Sequence, residues 1–135
     1  ESELRITPDG RWAAWVANDT GTYEVYVSSF PTPGAITRVS QSGGRQPMWR
    51  SDGRELFFLS AANELMAADA QTDGAVLKVS RPRALFVAPV PNGYFNRRQY
   101  APSADGQRFL FNARIEDSIP RTFKVILNWP ALLTR

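Results

Sequence analysis

The sequence "RSDGRELFFLS" at residues 50–60 has two relatives within the same chain. The earlier copy is "TPDGRWAAWVA" at residues 7–17, and the later one is "SADGQRFLFNA" at residues 103–113. The copies align without a gap and share one dipeptide, which occurs as Asp9-Gly10, Asp52-Gly53 and Asp105-Gly106. Internal repetition of this kind predicts a structural unit that is used three times.

Each copy predicts a tight turn that leads into a half-buried strand. Asp-Gly tolerates positive φ, and apolar residues recur at every second position after it. We interpret each Asp as an acceptor of backbone hydrogen bonds and each Gly as the residue that takes the positive φ. A large aromatic side chain follows six positions after each aspartate, and we interpret these as core residues between neighbouring units: Trp15, Phe58 and Phe111.

Further apolar segments flank every copy, so each unit predicts an antiparallel meander of up to four strands. The repeated aspartates are 43 and 53 residues apart. Four short strands with a period of roughly 40–45 residues are typical of a β-propeller blade. We therefore predict an all-β fold over residues 1–135, with about three blade-like units at approximately 3–40, 46–88 and 99–133. A β-sandwich of about seven strands would explain the strand number but not the phase of the repeats.

The composition excludes several kinds of chemistry. Apolar residues make up 43% of the chain and charged residues 21%, which indicates a globular fold. There is no cysteine and no histidine, so disulfides, the usual zinc sites and Ser-His-Asp catalysis are excluded within this chain. Ser51 and Ser103 therefore lack a base that would make them nucleophiles. We predict no catalytic residue, no metal site and no cofactor.

Two loop sequences match ligand-binding motifs only in part. The sequence "QSGGRQ" at residues 41–46 is rich in glycine but lacks the ending of a phosphate-binding loop. The sequence "DAQTDG" at residues 69–74 lacks the ligand spacing of a calcium loop, and it predicts a hairpin turn instead.

The net charge of +3 is carried by fourteen Arg and two Lys, and one stretch of the chain has no acid at all. That stretch lies between Asp73 and Asp105 and contains five cations: Lys78, Arg81, Arg83, Arg97 and Arg98. Basic residues interleaved with aromatic ones are one pattern for nucleic-acid binding. Five charges over roughly thirty residues are a small excess for that role, so we predict a solvated loop and no nucleic-acid partner. The chain also lacks a run of about 18 apolar residues, so we predict no membrane span.

The repeat resembles that of a known family, the TolB-type propellers, which are related to WD repeats. The resemblance is carried by "MWRSDGRELFFLSAANELMAAD" at residues 48–69 and "ITPDGRWAAWVANDTGTYEVYVSSFP" at residues 6–31. The third copy departs from the pattern, because Pro102 and Ala104 stand where Trp and Pro are expected. The ending "FKVILNWPALL" at residues 123–133 resembles the last strand of TolB-like propellers that follow bacterial serine/threonine kinase or transcriptional-regulator domains.

This resemblance implies a ring of about six or seven blades, of which the chain holds three at most. It thus implies the C-terminal half of a larger propeller, a non-catalytic scaffold for protein interaction or sensing, and a periplasmic or extracytoplasmic location. Repeat units cannot bury their terminal faces alone, so missing blades, a partner protein or a second copy that closes a six-bladed ring must cover them. The alternative is the propeller portion of a multidomain enzyme such as a prolyl-oligopeptidase-like serine hydrolase.

One loop interrupts the regular spacing of the units. Ten extra residues fall within "APVPNGYFNRRQ" at residues 88–99. Because binding residues are commonly found on loops held by a rigid scaffold, we predict partner binding at residues 91–99, through Tyr94, Phe95, Arg97 and Arg98.

Replacing Arg97 and Arg98 by Ala should weaken binding of a partner protein while leaving thermal stability nearly unchanged, since exposed loop residues contribute little to folding. The measurement is the amount of protein that a tagged chain retains from an extract of its source cells, with a thermal melt alongside. Unaltered retention by the double variant would contradict the assignment of the site.

Overall fold

The computed structural model of the protein describes residues 2–90, 98–113 and 122–126. Within these ranges there are twelve strands and no helix. In chain order the strands are β1 (Ser2–Ile6), β2 (Trp12–Ala17), β3 (Glu24–Ser29), β4 (Thr37–Arg38), β5 (Arg45–Trp49), β6 (Glu55–Leu59), β7 (Glu64–Asp73), β8 (Val76–Val79), β9 (Arg83–Val87), β10 (Tyr100–Pro102), β11 (Phe109–Ala113) and β12 (Thr122–Ile126). Their pairings are antiparallel, which confirms the predicted all-β class.

Three sheets divide the strands in the order of the three repeats. The first sheet has the order β1-β2-β3-β4, and the third, within the described residues, has the order β10-β11-β12. The second sheet contains β5, β6 and β7 in order, and both β8 and β9 pair with β7. In every sheet the Asp-Gly turn joins the first strand to the second, so the three copies of the phrase occupy the same place.

The second sheet departs from the predicted four-stranded meander because it has a fifth strand. β7 is ten residues long; its first half pairs with β9 and its second half with β8. The hairpin turn predicted within residues 69–74 therefore occurs only at its end, where Gly74 has a φ of 62°. Leu77 and Val79 of β8 pack against the core beside the first sheet, which explains why the extra strand forms. The last strand of the first sheet is short, because only Thr37 and Arg38 pair with β3.

Strand β6 is buried along its whole length because a sheet packs on each of its faces. Leu56 and Phe58 belong to a core shared with the first sheet, whereas Phe57 and Leu59 belong to a core shared with the third. The ring of Phe57 meets that of Phe109 edge to face at 5.0 Å. Cover on both faces accounts for the continuous apolar run "LFFL", where a strand with one solvated face would alternate.

The glycines of the three turns show that each sheet lies against the one before it. All three have positive φ, at 72°, 71° and 69° for Gly10, Gly53 and Gly106. No described atom would lie within 4 Å of a Cβ added at Gly10, in the first of the described sheets. A Cβ at Gly53 would lie 3.5 Å from the Thr7 side chain, and one at Gly106 would lie 2.8 Å from Cδ of Arg50. The turns are therefore stacked, and the third is the most tightly packed.

Gly10→Ala and Gly106→Ala should separate backbone strain from packing. Gly10→Ala should reduce the free energy of unfolding by about 1–2 kcal/mol through its positive φ alone. Gly106→Ala should cost about 1–3 kcal/mol more, because its methyl group also meets the second sheet. Urea unfolding of both variants measures the difference, and equal losses would show that the third turn does not pack as described.

Candidate interaction surfaces

Each repeated aspartate accepts a hydrogen bond that closes its own turn. Oδ1 accepts from the backbone N–H two residues further along the chain, which is the geometry of an Asx-turn. The bond recurs in all three turns: Asp9 to Arg11 at 3.1 Å, Asp52 to Arg54 at 2.9 Å, and Asp105 to Gln107 at 3.0 Å.

A side-chain donor inside each turn holds the pKa of the carboxyl below its ordinary value. This bond is the largest cause of the lowered pKa in every turn, and the backbone bond adds to it. The donors are the hydroxyl of Thr7 to Asp9 at 2.6 Å, the guanidinium of Arg50 to Asp52 at 2.8 Å, and the hydroxyl of Ser103 to Asp105 at 2.6 Å. The three carboxylates are thus ionised and engaged within their own turns.

An open groove of about 590 Å³ brings Asp9 and Asp52 to the same surface, although the sequence placed them in separate units. Asp69 also lines this groove. Asp52 pairs with Arg50 at 2.8 Å and Asp69 with Arg83 at 3.3 Å, so these charges are neutralised locally. In the part of the chain that the structure describes, no group of three or more metal-ligating side chains is close enough to hold an ion.

Polar side chains at or beside the start of β1, β5 and β10, which we call the inner strands, form a ladder from sheet to sheet. Oε2 of Glu3 accepts from the backbone N–H of Gln46 at 2.6 Å, and Oε1 of Gln46 accepts from the backbone N–H of Gln99 at 2.8 Å. Nε2 of Gln46 also donates to Oε1 of Gln99 at 3.1 Å. Each sheet therefore fixes the main chain of the next through a side chain at the same position in the repeat.

This ladder has a backbone signature that the sequence did not reveal. Glu3 and Gln46 have φ of 60° and 55°, a region that residues other than glycine rarely adopt, and both lie where the strand pairing is irregular. The irregular pairing at Gln46 points its backbone N–H towards the carboxylate of Glu3, and this hydrogen bond maintains the strained backbone. A signal was nevertheless present, since residues 3, 46 and 99 each precede their aspartate by six positions.

Two aromatic side chains add a second set of bonds between inner strands. Nε1 of Trp49 donates to the carbonyl of Arg5 at 3.2 Å, and the hydroxyl of Tyr100 donates to the carbonyl of Gln46 at 2.7 Å. Burial raises the pKa of Tyr100 well above its ordinary value, so its hydroxyl stays a donor. In both cases a side chain of one inner strand donates to a backbone carbonyl of the inner strand in the preceding sheet.

The first sheet exposes the face that the other two sheets bury. Ile6 is 41% exposed, whereas Trp49 at the equivalent position is 8% exposed. Leu4 is 53% exposed, whereas Pro47 at its equivalent position is fully buried. Neighbouring strands add two half-buried rings to this surface, which stack at 6.0 Å. We call it the head face, and it consists of Leu4, Ile6, Trp15 and Tyr26.

The third sheet exposes the opposite face. Leu110 is 41% exposed, although its equivalents Ala14 and Phe57 are completely buried against the sheet that follows. Arg108 is exposed and Asn112 half-buried beside it. We call these three residues, Arg108, Leu110 and Asn112, the tail face.

The predicted core aromatics therefore differ in their surroundings. Phe58 and Phe111 lie in the two cores between sheets. Trp15 belongs to neither core and stacks on Tyr26, because no described sheet precedes the first one. The repeat correctly placed Trp15, Phe58 and Phe111 at equivalent positions. A side chain at this position is buried only where a neighbouring sheet covers it.

A cavity of about 380 Å³ opens between the first two sheets, beside the ladder. Its charged lining residues are Glu3 and Arg45. The guanidinium of Arg45 donates to the carbonyl of Ser60 at 3.1 Å and to Oδ1 of Asn63 at 2.6 Å, and burial lowers its pKa. These bonds hold the loop after β6 to β5. The charged side chains that line this cavity are therefore engaged in hydrogen bonds that stabilise the fold.

Of the predicted partner-binding residues, Tyr94, Phe95 and Arg97 lie outside the described residues. Arg98 is described and is exposed. The neighbouring Gln99 accepts a hydrogen bond from the backbone N–H of Asn112, a residue of the tail face, at 2.9 Å. Partner binding by this loop stays a prediction.

Comparison with known proteins gives no family assignment. Neither the models of protein families nor the curated proteins include a match to this chain. Across residues 2–90, 98–113 and 122–126, no helix is long and apolar enough to cross a membrane.

The turn carboxylates should make stability depend on pH in acid. Their pKa is lower in the folded protein than the ordinary value of 3.8, so their stabilisation is complete above that value and is lost as the pH falls through the folded pKa. The triple variant Asp9→Asn, Asp52→Asn, Asp105→Asn should thus be less stable than the parent at pH 7. The gap should narrow as the pH is lowered below about 3.8.

Urea midpoints of the parent and the variant across this pH range measure the gap. Asp19→Asn, in an exposed loop, is the control for a loss of charge outside the turns. A gap that stays constant down to the acid limit would show that the turn carboxylates do not act through their charge.

Proposed function

We propose that the three sheets are consecutive blades of a TolB-like β-propeller and that the chain is a non-catalytic scaffold for protein interaction or sensing. The observation that carries this proposal is the repetition of contacts between sheets. The same turn occurs in all three sheets, and the same side-chain-to-backbone ladder runs from the first sheet to the second and again from the second to the third. At each step an aromatic side chain also bonds the backbone of the preceding sheet, from a different position in the repeat. Nearest-neighbour repetition of this kind characterises blades and other repeat units.

The position of the inner strands supports propeller blades over flat stacking. β1 lies beside β5, and the bonds of Trp49 and Tyr100 run between inner strands only. In a propeller the inner strands converge on the central axis while the outer strands fan apart. The short β4 and the longer β9 occupy the outer position of their sheets.

The polar groups of the described residues support a scaffold over a reaction centre. The turn carboxylates are engaged in their turns, and Glu55 pairs with Arg83 at 3.3 Å. Since the chain also lacks cysteine and histidine, its chemistry favours binding through surfaces. The TolB-like pattern also favours a periplasmic or extracytoplasmic location for this scaffold.

Distances between equivalent turns test the blade arrangement. Because the chain has no cysteine, spin labels can be attached in pairs at Arg11→Cys, Arg54→Cys and Gln107→Cys, three exposed positions that follow the turns. For blades around an axis, the 11–107 distance should be shorter than the sum of the 11–54 and 54–107 distances. Double electron–electron resonance measures all three, with labelled protein diluted in unlabelled protein so that only distances within one chain contribute. A long distance equal to the sum would indicate a straight stack and overturn the proposal.

A further inference from the structure

We draw no further inference here: the strongest candidate, the pair of exposed surfaces formed by the head face of the first sheet and the tail face of the third, carries none, because nothing in the described part of the structure shows what covers them.

Discussion

The burial of β6 on both faces is the constraint from which the other features follow. Successive side chains of a strand point to opposite sides, so Phe57 and Phe58 can both be buried only if a sheet covers each side. The chain supplies those sheets by repeating the same unit before and after the second one. Tight packing at Gly106 and the bonds of Gln46 follow from that stacking, because the units must approach closely enough to share a core. Exposure of the head and tail faces follows as well, since the first and third sheets each have one neighbouring sheet among the described residues.

Much of this arrangement could be predicted from the sequence. The Asp-Gly pairs marked the turns, the apolar residues after them marked β2, β6 and β11, and the spacing of the aspartates placed the three units in register. The prediction of a half-buried strand was wrong for β6, which is buried on both faces. Such features are local or periodic, so they are visible without knowledge of which sheets meet. The all-β antiparallel class followed from the same signals.

The remaining features depend on contacts between distant parts of the chain. Strand β8 was missed because residues 69–74 have the polar composition of a turn, and β8 forms only where Leu77 and Val79 can reach the first core. The half-burial of Trp15 could not be predicted from the sequence, because the equivalent residues Phe58 and Phe111 are buried. The ladder also required positive φ at Glu3 and Gln46, which side-chain type does not indicate. Residues 94, 95 and 97, on which the predicted binding loop depends, lie outside the described residues.

The hairpin of β7 and β8 makes the two internal interfaces unequal. Arg11 of the first sheet donates to the carbonyl of Gly74 at the hairpin tip at 2.7 Å, and the hairpin also packs against the first core. Within the described residues, no comparable extension joins the second sheet to the third. We therefore expect the first two sheets to unfold together and the third sheet to open before them. The amide hydrogens of β11 should thus exchange through this partial opening, whereas those of β2 and β6 should exchange only when the whole molecule unfolds.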